Sequence, residues 1–153
     1  MGKQIFKTLI VGLGGTGQTV IRDIKKHLLE KYDEIPPMVK FLAFDCAERD
    51  YVDDAFRYSI NGERRETKQF NLEISEFCQL TLPDVEVLRE DPNCQNLNYQ
   101  QLAIAYQKAS GLGTMGQRVL GRAYLLSNAG LVIHTLQNVV EMLNRIEVNR
   151  AAD

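Results

Sequence analysis

Between Thr8 and Ile24 the chain reads TLIVGLGGTGQTVIRDI, an order of residues that leaves few folds open. Leu9, Ile10 and Val11 form a continuous apolar run ended by glycine, the mark of a short buried strand from Lys7 to Gly12. The pattern then turns helical up to Tyr32. Val20, Ile21, Ile24 and Leu28 recur every three or four residues, with Arg22, Asp23, Lys25 and Lys26 on the other face. Pro36-Pro37 closes this unit, and Val39 to Phe44 makes a second apolar strand ending on Asp45. Strand, glycine turn, helix and strand in about forty residues form a βαβ unit, so the two strands run parallel. The expected class is α/β: a three-layer, Rossmann-like domain with a mostly parallel sheet.

The glycines of this turn carry chemistry as well as geometry. Gly12, Gly14 and Gly17 satisfy G-x-G-x-x-G where a strand hands over to a helix. Without Cβ atoms the backbone turns tightly and lets a pyrophosphate approach. Free N–H groups at the helix start, at the positive end of its dipole, favour anionic oxygens. Gly15 adds an unhindered N–H, and the Thr16 and Thr19 hydroxyls are further donors. The competing explanation is a glycine turn that serves only strand–helix packing. No G-K-[ST] follows, which excludes a P-loop NTPase. Asp45, 28 positions after Gly17, stands where a dinucleotide site needs an acid for the ribose hydroxyl. A stand-alone Rossmann-type domain binding NAD(P) or ATP therefore stays open. The tighter form G-x-G-G-x-G, with NLNYQ at Asn96 to Gln100, resembles ubiquitin-activating-type adenylating enzymes. NLNYQ, however, lies 51 residues past Asp45, and Tyr99 replaces the arginine of their motif, so we set this reading aside.

Composition excludes several classes. At 153 residues, 44% apolar and 25% charged, the chain suits one globular domain with a real core. A net charge of −2 gives no reason to expect a nucleic-acid partner. No apolar run reaches the ~18–20 residues that cross a bilayer, so no membrane partner is expected. The N-terminal apolar stretch is too short and glycine-rich for a signal segment, and the expected location is cytoplasmic. Cys46, Cys78 and Cys94, spaced by 32 and 16, form neither a disulfide framework nor a zinc motif. Two histidines, His27 and His134, are too few for a multi-histidine metal site and read as structural.

The middle of the chain is less regular. Asn61-Gly62 is a hairpin turn signal between Phe56–Ile60 and the charged run ERRETK, a solvated loop or edge strand. Phe70, Leu72 and Ile74 alternate as a half-buried strand does. Pro83 and Pro92 bracket an acidic segment, and a helix is expected over Leu97 to Ala109. Asp50, Asp53 and Asp54 read as a charge complement to a helix N-terminus. From Gln117 to about Ile146, Leu120, Ala123, Ile133, Leu136, Val140 and Leu143 form one helical stripe. It belongs to one long helix or to two collinear ones joined near Asn128–Gly130.

A second glycine cluster, SGLGTMGQRVLGR from Ser110 to Arg122, makes a family resemblance specific. The chain resembles the N-terminal, nucleotide-binding part of the tubulin/FtsZ superfamily, above all its divergent bacterial tubulin-like proteins. VGLGGTGQTVIRDI is similar without gaps to the first phosphate loop and helix of FtsZ. FLAFDCA resembles the next strand and its loop, and GLGTMGQRVLGR resembles the third loop, which runs into G-R on a long helix. This resemblance implies that Gly14, Gly15, Thr16, Gly17, Gln18 and Thr19 cradle the α- and β-phosphates of GTP or GDP, beside Gly12. It puts Asp45 and Cys46 near the ribose or a Mg2+ ion, and Gly113, Thr114, Met115 and Gly116 near the γ-phosphate. Ala47 and Met115 depart from the family pattern, where an acid and a glycine are usual. The interval from Asp45 to Gly111 implies an insertion at roughly residues 50–108 of one tubulin-like domain spanning 1–153. Because the G-G-G-T-G-[ST]-G loop of the family is not in the sequence, nucleotide binding without independent hydrolysis is expected. Homo-oligomers or filaments are expected of the full-length protein. Arg118 and Arg122, one helical turn apart, face phosphate, a neighbouring subunit or solvent.

Overall fold

The computed structural model describes residues 6–109 and 117–146. The βαβ unit forms as its periodicities dictate. Strand β1 (Thr8–Leu13) leads directly into helix α1 (Gly14–Tyr32), and strand β2 (Val39–Asp45) pairs with β1 in parallel, Gly12 opposite Ala43. Helix α1 therefore begins at Gly14, itself in the left-handed region at φ +67°. Asp33 ends it, also left-handed at φ 64°, with its N–H bonded to the Leu29 carbonyl.

Next comes a hairpin, β3 (Phe56–Ile60) and β4 (Glu63–Thr67), closed by Asn61 and Gly62 with φ of 50° and 83°. Two consecutive positive φ values are what a primed two-residue turn requires, and the ERRETK run is the hairpin's exposed strand. Strand β5 (Phe77–Gln79) then joins the other edge of β2 in parallel, giving the order β1-β2-β5. Three helical pieces follow: α2 (Val85–Glu90), a single 3-10 turn at Pro92–Cys94, and α3 (Tyr99–Ala109). Last are α4 (Arg118–Ser127) and α5 (Ala129–Arg145).

Alternation along β2 builds the layers. Val39, Phe41 and Ala43 point to one face, where they pack with Ile21, Ile24 and Leu28 of α1. Leu42 and Phe44 point to the other, against Leu136 and Val139 of α5 and Tyr124 of α4. Helix, sheet, helix is the three-layer arrangement expected. A satellite core of Leu88, Cys94, Leu97, Leu102, Ala105, Leu120 and Ala123 holds α2, α3 and α4 together.

Several expectations change. β1 is not a buried strand: Val11 and Leu13 are 44% and 61% exposed, because among the described residues β1 is an edge with a partner on one side only. Phe70 and Leu72 are buried but lie in a turn and the irregular segment after it, while Ile74 is exposed; the strand of this region is β5, three residues further on. The C-terminal stripe divides into two helices at Asn128, whose side-chain amide donates to the Tyr124 and Thr81 carbonyls. No helix follows Asp50, Asp53 and Asp54 directly, so they complement no helix terminus.

The largest change concerns α1. Arg22 and Lys25, expected on a solvated face, are buried, Lys25 to 2% exposure. The middle segment covers that face and supplies their partners. Asp50 pairs with Arg22 at 2.5 Å. Glu76 pairs with Lys25, whose ammonium also donates to the Asn71 carbonyl at 2.8 Å and sits 5.2 Å from the Phe41 ring centroid. The Asn71 amide in turn clamps the Val52 backbone, accepting from its N–H and donating to its carbonyl, both at 2.9 Å. A buried charge stays charged only when so partnered.

Candidate functional site

The four glycines of the first loop do different jobs. A Cβ on Gly12 would lie 2.7 Å from the Gly17 carbonyl oxygen, and one on Gly17 would lie 2.6 Å from the Gly12 carbonyl carbon. These two residues put the backbone of α1 directly against that of β1. Gly14 supplies the left-handed φ that lets the chain leave the strand as a helix. Gly15 is different: nothing lies within 4 Å of its Cβ position. Strand–helix packing thus accounts for Gly12 and Gly17, and it does not account for Gly15.

Helix α1 also starts without a cap. Leu13 occupies the N-cap position with no side-chain hydrogen bond, and the first turn holds no acidic residue. The N–H groups that open a helix are left without intrahelical acceptors, at the end where the dipole is positive. Thr16 is exposed beside them. The Thr19 hydroxyl faces elsewhere, donating to the Gly15 carbonyl at 3.1 Å and accepting from Arg22 at 3.2 Å.

A cavity of about 400 Å3 adjoins this terminus, lined by Leu13 and Gly14, Phe44 to Cys46, Leu80, Gly121, Arg122, Tyr124 and Leu125. Its size falls within the ~300–1,000 Å3 of small-molecule sites. Its place, beyond the carboxyl ends of parallel strands, is where open α/β sheets bind ligands. Apolar and aromatic side chains make most of the wall. Asp45, Cys46, Arg122 and Tyr124 make the polar part. Burial raises the Tyr124 hydroxyl above the ordinary tyrosine value, with smaller contributions from Cys46 and Tyr106.

Asp45 is held rather than loose. Its Oδ2 accepts from the Gln18 amide at 2.7 Å, and its Oδ1 accepts from the Ala47 N–H at 3.2 Å. Gln18 is 1% exposed and also accepts from the Asp50 N–H at 2.8 Å. Its side chain therefore fixes Asp45 and the loop after β2. Sequence reasoning placed Gln18 with the phosphate cradle, and no local signal revealed that its partners stand 27 and 32 positions away.

The structure brings Gly14, Asp45 and Cys46 to one cavity, with Gly15 and Thr16 on the next residues of α1. Gly12 and Gly17 lie in the strand–helix contact. Gly113, Thr114, Met115 and Gly116 lie outside the described residues. Arg122, one of two arginines whose role the sequence left open, lines the cavity, whereas Arg118 lines a separate hollow with Gln101 and Ile104. Asn96 to Gln100 take no part: the Tyr99 hydroxyl lies 2.8 and 2.9 Å from the Leu88 and Cys94 carbonyls, locking the satellite core. Both histidines are exposed on helices. Among the described residues no group of three or more His, Cys, Asp or Glu is placed to hold a metal, and no helix is long and apolar enough to cross a membrane.

Fold and cavity define a Rossmann-like α/β domain whose cavity adjoins a glycine-opened helix at the strand ends. The chain matches the model of the family described as "Tubulin like" over residues 9–152, and it belongs to that family. No curated protein and no solved structure gives a significant match.

Proposed function

We propose that this domain binds a guanine nucleotide, GTP or GDP, and is the nucleotide-binding part of a self-assembling, tubulin-like protein in which bound nucleotide controls subunit contacts. The observation that carries the reading is the uncapped start of α1, open at Gly15, beside a 400 Å3 cavity at the ends of β1 and β2. Polyphosphate suits the N–H end, and base or ribose suits the apolar wall of Leu13, Phe44, Leu80 and Leu125. Family membership supports guanine over other bases and supports assembly. Mg2+ fits as an ion carried by the phosphates, since Asp45 is the cavity's carboxylate and Mg2+ commonly takes one or two carboxylates with phosphate and water. Hydrolysis, location in the cytoplasm and filament formation belong to the same reading of the full-length protein.

Titration of GTP, GDP, ATP, NADH and NADPH with Mg2+ by calorimetry tests it. Preference for GTP and GDP is expected. A preference for NADH or NADPH would replace this reading with a dinucleotide-binding one.

A further inference from the structure

Charge in the cavity is unbalanced in a way the glycine loop alone does not resolve. A helix N-terminus presents about half a positive charge, well short of what a nucleotide di- or triphosphate carries. The loop has no lysine of the Walker kind. Asp45 brings negative charge to the same wall. Among the described residues that line the cavity the sole cation is Arg122.

Arg122 is also available. Arg22, Arg49, Arg57, Arg65, Arg89 and Arg145 are each tied to a carboxylate or a carbonyl. Arg122 has no ion pair or hydrogen bond among the described residues. It lies in α4 and lines the same cavity as Gly14, with Gly121 beside it leaving that part of the wall without a side chain. Leu120 and Ala123 bury the opposite side of the helix in the satellite core, so the position of Arg122 is fixed by packing. A guanidinium offers five donors in a planar fork that matches phosphate oxygens. Arg118, one turn earlier, lines a different hollow, so α4 sends one arginine into this cavity.

We infer that Arg122 is the cationic ligand of the cavity's polyphosphate subsite, closing on the phosphates from α4 while the N–H groups of α1 hold them from the other side. The inference rests on the nucleotide reading above and assigns the residue that neutralises the ligand.

The test is calorimetric titration of GTP, GDP, guanosine and inorganic tripolyphosphate against the wild type, Arg122→Gln and Arg122→Lys. Sedimentation velocity on the same samples follows self-association. Loss of one charge-assisted contact predicts roughly 10- to 100-fold weaker binding of GTP, GDP and tripolyphosphate to Arg122→Gln. Guanosine affinity stays unchanged, and Arg122→Lys recovers part of the loss. Because the side chain is exposed, the thermal midpoint of Arg122→Gln should match the wild type. Equal phosphate affinities in wild type and Arg122→Gln would overturn the inference and leave the nucleotide reading standing. Equal affinities with altered self-association would assign Arg122 to a subunit contact instead. A wild type that binds neither GTP nor tripolyphosphate would overturn both.

Discussion

Alanine at Gly17 and alanine at Gly15 should have opposite consequences, although the two residues are two positions apart in one loop. At Gly17 the new Cβ sits 2.6 Å from the Gly12 carbonyl carbon and 2.8 Å from its Cα. Carbon atoms prefer about 3.5–4.0 Å, so roughly 1 Å of movement is forced. The opposing atoms belong to β1, which is held in register against β2, Gly12 opposite Ala43. Neither side has a flexible tip that can swing away. Overpacking of this kind costs about 1–3 kcal/mol, and the helix preference of alanine over glycine returns about 0.5–1 kcal/mol. A net loss near the middle of the resulting range, about 1–2 kcal/mol, lowers the unfolding midpoint by roughly 2–8 °C in a domain of this size. At Gly15 the new methyl meets nothing within 4 Å and φ is not left-handed, so the midpoint stays level or rises slightly. That methyl stands where we place the phosphates, and affinity for GTP should fall. Thermal unfolding by circular dichroism, with calorimetric titration of GTP, reads both effects. If Gly17→Ala keeps the wild-type midpoint, or Gly15→Ala falls as far, the division of labour among the glycines is wrong.

Other substitutions probe the polar interior. Gln18→Leu strips Asp45 and the Asp50 N–H of their partner and should cost about 2–4 kcal/mol by denaturant unfolding. Gln18→Glu puts a second buried carboxylate against Asp45. One acid of that pair is then raised in the folded state, so its destabilisation relative to wild type should be small near pH 4 and grow as pH rises through the raised value. Lys25→Ala leaves Glu76 with no cation and should cost about 3–5 kcal/mol, part of which Lys25→Met combined with Glu76→Gln recovers. Burial raises the Tyr58, Tyr99 and Tyr124 hydroxyls. Their contribution to stability is therefore complete below the unfolded tyrosine value of about 10 and is lost as pH climbs through the raised values, a loss that Tyr124→Phe should lessen in alkaline melts.

The βαβ unit was legible because each of its signals is local. Leu9-Ile10-Val11, the spacing of Ile21, Ile24 and Leu28, and Asn61-Gly62 act within a few residues of themselves. What escaped depends on partners far along the chain. Nothing near Lys25 announces Asn71 or Glu76, which stand 46 and 51 positions away, so a charged face read as solvated is buried. Phe70 and Leu72 alternate like strand residues, yet they are drawn inward from a turn and the irregular segment after it by the αβ core and by Phe56. At the cavity, Gly14 and Asp45 stood out by their spacing. The partners of Gln18 were not legible, because its hydrogen bonds run to Asp45 and Asp50, far along the chain. Arg122 was ambiguous until α4 was seen to place it and Arg118 against different cavities.

The contact between Gly12 and Gly17 bears on how this cavity can be altered. Behind the cavity, Gly12 and Gly17 press main chain against main chain, and neither can take a side chain without parting β1 from α1. The cavity itself is lined largely by side chains, Leu13, Phe44, Cys46, Leu80, Tyr124 and Leu125 among them. Diversity in ligand choice, whether reached by evolution or by a designed library, must therefore be written on these side chains and not on Gly12 or Gly17. The glycine side acts as a fixed datum against which any ligand is measured.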